Sequence, residues 1–204
     1  MDTETTVDRF PAESVVRLAD YRPPAWRITH VELKFELGID ETLVHSKLAL
    51  AQDRDEPLRL DGEDVALLAA RLDGRALAPA DYAIDAAGLA IQGARDGSVL
   101  ELTVRIDPAR NSQLCGLYLS GKREHGFLLT QCEAQGFRRI TFFPDRPDVL
   151  ARYDVTLVAD KARFPVLLAG GEETESGDLP DGRHFARFVD PHPKPSYLFA
   201  LVAG

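Results

Sequence analysis

The sequence predicts an all-β protein of antiparallel sheets arranged as a sandwich or a saddle. Three observations carry that expectation. Apolar and polar residues alternate over long stretches, which gives an extended chain one buried and one wet face. Short apolar runs recur between Gly-containing turn dipeptides. Helical periodicity is scarce, so helical turns are expected only near the N-terminus and around 147–150.

In chain order, residues 1–20 read as a polar arm with a short helix near Glu13–Leu18. Tyr21-Arg22-Pro23-Pro24 forces extended backbone, because proline fixes its own φ and pushes the preceding residue out of the α region. Trp26, Ile28, Val31, Leu33, Phe35 and Leu37 largely alternate with polar residues, Gly38–Glu41 turns the chain, and Thr42–Ala51 alternates again. This pair reads as a hairpin. Further strands are expected at Leu58–Leu60, Val65–Leu72, Tyr82–Ile84, Leu89–Ile91 and Val99–Ile106. They are punctuated by Asp61-Gly62, Asp73-Gly74, Ala87-Gly88 and Asp96-Gly97. In Val65–Leu72 a helix competes, since Ala and Leu dominate it. Tyr153–Ala159, Pro165–Ala169, His184–Val189 and Tyr197–Val202 complete the set, with a turn at Gly170-Gly171. No fixed repeat and no linker-like break occurs, so 21–204 reads as a single β domain. The chain stops directly after its most apolar strand. That reads as a piece of a longer polypeptide, with a docked terminal strand as the other reading.

Of the 204 residues 45% are apolar, enough for a real core. The net charge of -9, from 33 acids against 24 bases, argues against nucleic acid and against anionic lipid as partners. Met1–Asp20 lacks the apolar stretch of a signal peptide, and the longest apolar run, Tyr197–Ala203, is too short to span a membrane as a helix. A cytoplasmic protein with Cys115 and Cys132 as free thiols is expected. None of His30, His45, His125, His184 and His192 is followed by Glu, so there is no H-E-x-x-H zinc motif. Cys-x-x-Cys, phosphate-loop and nucleophile-elbow patterns are missing as well. No catalytic residue, metal ligand or cofactor-binding residue is therefore singled out from these motifs.

Residues 114–149 carry the most information. Gln131 and Glu133 are two apart, so on extended backbone they share a side. They lie between Phe127-Leu128-Leu129 and Phe137, on a stretch expected to be substantially buried. A carboxylate there requires a cation. That cation is either internal, from Arg138, Arg139 or Arg146, or the ammonium group of a ligand.

Four blocks in this order resemble the N-terminal domain of the M1 zinc aminopeptidases of the bacterial aminopeptidase N type. They are Gly116-Leu117-Tyr118; Thr130-Gln131-Cys132-Glu133-Ala134 with Gly136-Phe137-Arg138; Asp145-Arg146-Pro147-Asp148-Val149; and the closing Lys194–Gly204. The resemblance runs from about Tyr21 to the end. It implies a β-sheet saddle beside a thermolysin-like zinc domain, with Glu133 binding the α-ammonium of a peptide N-terminus and Gln131 lining the pocket for the first side chain. It also implies a cis bond after Glu133. The family's zinc ligands, general base and second amine-binding motif correspond to nothing in this chain. Zinc therefore belongs to the full-length enzyme, and this stretch alone is expected to be inactive. Its partners are a peptide N-terminus and the catalytic domain of the same chain, so an exposed Glu133 and an exposed apolar patch are expected. Asp145-Arg146-Pro147-Asp148 reads as an ion-paired turn capping a short helix, and Cys132 as buried beside the site. Tyr118 reads as core, or as lying near the domain junction. The competing reading is a non-catalytic β-sandwich for protein or carbohydrate binding, for which Trp26 is the only tryptophan platform.

Overall fold

A computed structural model describes residues 17–204; the polar arm and the helix near Glu13–Leu18 fall largely outside the described residues. The chain forms β1 (Trp26–Glu36), β2 (Thr42–Gln52), β3 (Leu58–Asp61), β4 (Ala66–Leu72), β5 (Arg75–Ala76), β6 (Tyr82–Asp85), β7 (Gly88–Ile91) and β8 (Val99–Ile106). It continues with β9 (Gly116–Ser120), β10 (Phe127–Gln131), β11 (Leu150–Asp160), β12 (Leu167–Ala169), β13 (Glu172–Asp178), β14 (Arg183–Pro195) and β15 (Leu201–Ala203). Single 3₁₀ turns stand at Leu18–Asp20, Pro108–Arg110, Phe137–Arg139 and Ser196–Leu198. The all-β class is as expected.

Three sheets result. The largest has eight strands in the order β13-β14-β11-β1-β2-β8-β4-β5, a second has the order β12-β15-β10-β9, and a third the order β3-β7-β6. One pairing departs from the antiparallel expectation: β1 and β11 run parallel, from His30 opposite Arg152 to Glu36 opposite Val158. A parallel pair needs a long crossover, and residues 37–149 supply it.

Local chemistry explains the strands. In β1 the register slips between Ile28 and His30, a bulge at Thr29 that leaves both Ile28 and Val31 facing inward despite their odd spacing. The helical alternative for Val65–Leu72 loses. Asp73 and Gly74 have φ of 51° and 78°, the pair of positive values that a two-residue type I′ turn needs, and they close the β4–β5 hairpin at Leu72 opposite Arg75. Tyr197–Val202 is only partly strand. Ser196–Leu198 forms a 3₁₀ turn after Pro195, and the pairing starts at Leu201. The helical turn expected around 147–150 is a single hydrogen-bonded turn, Val149 N–H to Arg146 O at 3.2 Å, and it goes no further because Leu150 already begins β11 opposite Pro195.

The three sheets share one core, with Phe35 from β1, Leu60 from β3, Leu89 from β7, Leu128 from β10 and Tyr153 from β11. Its centre is aromatic. Phe137 packs edge-on against Phe143 at 4.9 Å, Phe199 at 5.2 Å and Tyr153 at 6.1 Å, while Phe35 stacks on Phe199 at 5.9 Å. Edge-to-face contacts of this kind add to the burial energy. Phe137 lies four residues after Glu133, so the core holds the segment that carries the candidate site.

Candidate functional site

Gln131 is the last residue of β10. The chain then turns through residues 133–136 and enters the 3₁₀ turn Phe137–Arg139. The turn is tight: the Gly136 N–H donates to Cys132 O at 2.7 Å. A Cβ on Gly136 would lie 2.6 Å from Gln131 O, 2.8 Å from Cys115 Sγ and 2.9 Å from Cys132 Cα, so only glycine fits. Cys132 and Phe137 point inward and are buried, whereas Gln131 and Glu133 are exposed. The expectation that this stretch is buried holds for Cys132 and Phe137 and fails for the two polar side chains, Gln131 at the end of β10 and Glu133 in the turn that follows. The two do meet: Glu133 N–H donates to Gln131 Oε1 at 3.2 Å. The Glu133–Ala134 peptide bond is cis.

The three arginines considered as internal counter-ions are committed elsewhere. Arg138 Nε pairs with Asp145 Oδ2 at 3.2 Å and its Nη2 lies 3.6 Å from Asp61 Oδ2. Arg139 pairs with Glu63 and, at 2.6 Å, with Asp64. Arg146 holds Asp148 through Nε at 2.8 Å and Nη2 at 2.7 Å. That bidentate pair keeps the Asp148 carboxyl below the usual carboxylate range, with the Tyr21 hydroxyl as a second donor at 3.0 Å. Glu133 forms no ion pair with any of the described residues. Beneath the site, Asp145 is 1% exposed and accepts from Arg138 N–H, Arg138 Nε and Ser196 Oγ, the last at 2.5 Å. Sequence reasoning missed this buried carboxylate as the anchor of the turn, although Asp145 stood in a quoted block.

The outward face of the second sheet is apolar. Across the four strands, Leu168 faces Val202, Val202 faces Leu129, and Leu129 faces Tyr118. Residues directly opposite share a face, and alternation along β10 puts Phe127 and Gln131 on it too. Leu168 is 52% exposed, Phe127 41% and Val202 37%. Gln131 therefore sits at the edge of an uncovered apolar surface. A different hollow, on the outer face of the eight-stranded sheet around Lys34, His45, Lys47 and Arg71, has its charges paired internally: Glu32 with Lys47 at 3.2 Å, Lys34 with Glu36 at 2.9 Å and Arg187 with Asp154 at 3.0 Å.

The described residues bring together no three His, Cys, Asp or Glu side chains that could hold a metal ion. One carboxylate and one carboxamide, Glu133 and Gln131, do not supply the three protein ligands of a catalytic zinc. Trp26 is 5% exposed and its Nε1 donates to Glu56 O at 2.7 Å, so it offers no platform for a sugar. No helix of the described residues is long and apolar enough to cross a membrane.

Comparison with known proteins gives a consistent result. The peptidase M1 N-terminal domain family matches over residues 81–198. Aminopeptidase N of Caulobacter vibrioides is 50% identical over 198 residues, 96% of this chain and 22% of that protein. Among solved structures, aminopeptidase A of Legionella pneumophila in complex with aspartic acid is 32% identical with a TM-score of 0.84, covering 93% of this chain and 22% of that one. A mutant M1 zinc metallopeptidase of Deinococcus radiodurans bound to a Tyr-Ser-Ala substrate has the same fold, at 19% identity and a TM-score of 0.72, over 88% of this chain and 42% of that one. The chain thus spans about a fifth of the length of the aminopeptidase N it matches.

Proposed function

The chain belongs to the peptidase M1 N-terminal domain family, and from that premise we propose that it is the part of a zinc-dependent aminopeptidase that grips the free amino end of a peptide. The observation that carries this reading is Glu133. It is an exposed carboxylate just past the end of a strand, on a turn anchored in the core, and Arg138, Arg139 and Arg146 are each paired with another acid.

An exopeptidase must distinguish a chain end from an internal residue. A fixed carboxylate does this by pairing with the α-ammonium, while a blocked or internal residue leaves it unpaired. Gln131 supports the arrangement in two ways: its Oε1 accepts the Glu133 N–H, and its place on the apolar face lets it line the pocket for the first side chain. Zinc and the groups that activate water belong to the rest of the enzyme, in the cytoplasm, and this stretch alone is inactive. The uncovered row Leu168–Val202–Leu129–Tyr118 is where the catalytic domain packs, which brings Glu133 to the edge of the active site.

The test uses the full-length protein. Glu133→Ala is expected to lower kcat/KM on unblocked peptides by roughly a hundredfold, the effect of losing about 3 kcal/mol of desolvated ion pair. Bound zinc, measured by elemental analysis, should be unchanged. Undiminished turnover would end the role assigned to Glu133.

A further inference from the structure

The two cysteines, far apart in sequence, meet beside this turn. The ladder between β9 and β10 ends with Gly116 opposite Gln131, and the same register carried one step past the strand ends would set Cys115 opposite Cys132. Opposed residues of an antiparallel pair have Cα atoms about 4.5–5.5 Å apart, inside the range that a disulfide spans. The crowding around Gly136 agrees, since Cys115 Sγ and Cys132 Cα lie 2.8 and 2.9 Å from the same point. Both backbones are pinned. The Asn111 side-chain amide donates to Cys115 O at 2.7 Å and to Leu117 O at 2.9 Å, and Cys132 O accepts the Gly136 N–H. Both thiols are free.

We propose that Cys115 and Cys132 form a cross-strand dithiol that closes to a disulfide when a peroxide reaches it, a redox modification site built into the turn that carries Glu133. The order of attack follows from exposure. Cys132 is 1% exposed, and burial pushes its thiol pKa up, whereas Cys115 is partly open to solvent. The Cys115 thiolate therefore attacks hydrogen peroxide first. A sulfur–oxygen bond forms, the peroxide bond breaks, and the departing hydroxide takes a proton to leave as water. The Cys132 sulfur then attacks the Cys115 sulfenic acid, the sulfur–sulfur bond forms, and a second water leaves with the Cys132 proton. Two thiols and one peroxide thus give one disulfide and two waters. Cys132 lies between Gln131 and Glu133, so the bond ties the candidate site to the start of β9. The inference rests on the register and stands apart from the amine-binding reading.

The test is to expose the chain to hydrogen peroxide and analyse it unreduced. The expected result is loss of both titratable thiols, an intact mass lower by two hydrogens, and a peptide joining Cys115 to Cys132 that dithiothreitol separates. In Cys115→Ser, Cys132 should stay alkylatable under the same exposure. Added oxygen at Cys115 with Cys132 still reduced, or disulfides only between chains, would overturn the proposal, as would equal oxidation of Cys132 in Cys115→Ser.

Discussion

Glu133 differs from Asp61, Glu63, Asp64, Asp145 and Asp148 in having no arginine partner among the described residues. Asp61 and Asp145 share Arg138, Glu63 and Asp64 share Arg139, and Asp148 has Arg146. Asp145 is the most deeply buried of them, and it accepts three hydrogen bonds, as the shallower Asp148 also does. Asp145, accepting from Arg138 and Ser196, has lost its water and depends on them. Asp145→Ala is expected to lower the unfolding free energy by about 3 kcal/mol, since it strands the partly buried Arg138 beneath the turn. Urea denaturation followed by tryptophan fluorescence checks this, and a midpoint unchanged from wild type would show that the network is not what holds the turn. At this scale the sequence was informative about residue types and less so about exposure. Gln131 and Glu133 were legible as polar residues two apart, whereas the turn that starts at Glu133 was not. Which arginine pairs with which acid was not, because Arg139 finds Glu63 and Asp64 only after the chain has crossed between sheets.

The elements were legible where one face is wet. Val99–Ile106 alternates cleanly and is found with the bounds its pattern gives. β9 and β10 gave no such signal, because Leu129 and Phe127 are apolar on the outward face while Leu128 is apolar on the inward one. Period-two contrast fades when both faces are apolar. β13 failed to announce itself for the opposite reason. Glu172–Asp178 has no apolar residue, and it exists as an edge strand on β14, where charge discourages pairing with other chains. The three-stranded sheet depends on one glycine. Gly88 begins β7 at a φ of +140°, and a Cβ there would lie 1.9 Å from Leu60 O. Gly88→Ala is expected to cost about 2 kcal/mol or more, whereas Gly97→Ala, at a φ of +78° with nothing within 4 Å, should cost about 1 kcal/mol for the left-handed backbone alone. Equal losses in thermal unfolding would contradict the close approach.

At the scale of the molecule, the two outer surfaces contrast. The eight-stranded sheet turns a face of mutually paired charges outward, and the four-stranded sheet turns out Leu168, Val202 and Phe127. Composition revealed neither, since 45% apolar content does not say which sheet face stays uncovered. The parallel join of β1 and β11 was equally hidden, because alternation fixes which face is buried and not which strand lies alongside. These features come together at the end of β10, where a core-anchored turn at the margin of an apolar face holds a carboxylate with no ion-pair partner among the described residues. The most direct test of that arrangement is the preference of the full-length enzyme for a substrate with a free α-amine over the same substrate lacking it. It is read as the ratio of kcat/KM values for wild type and for Glu133→Gln. The account predicts a strong preference in wild type that falls by roughly a hundredfold in the variant. A variant that keeps the wild-type preference would contradict it.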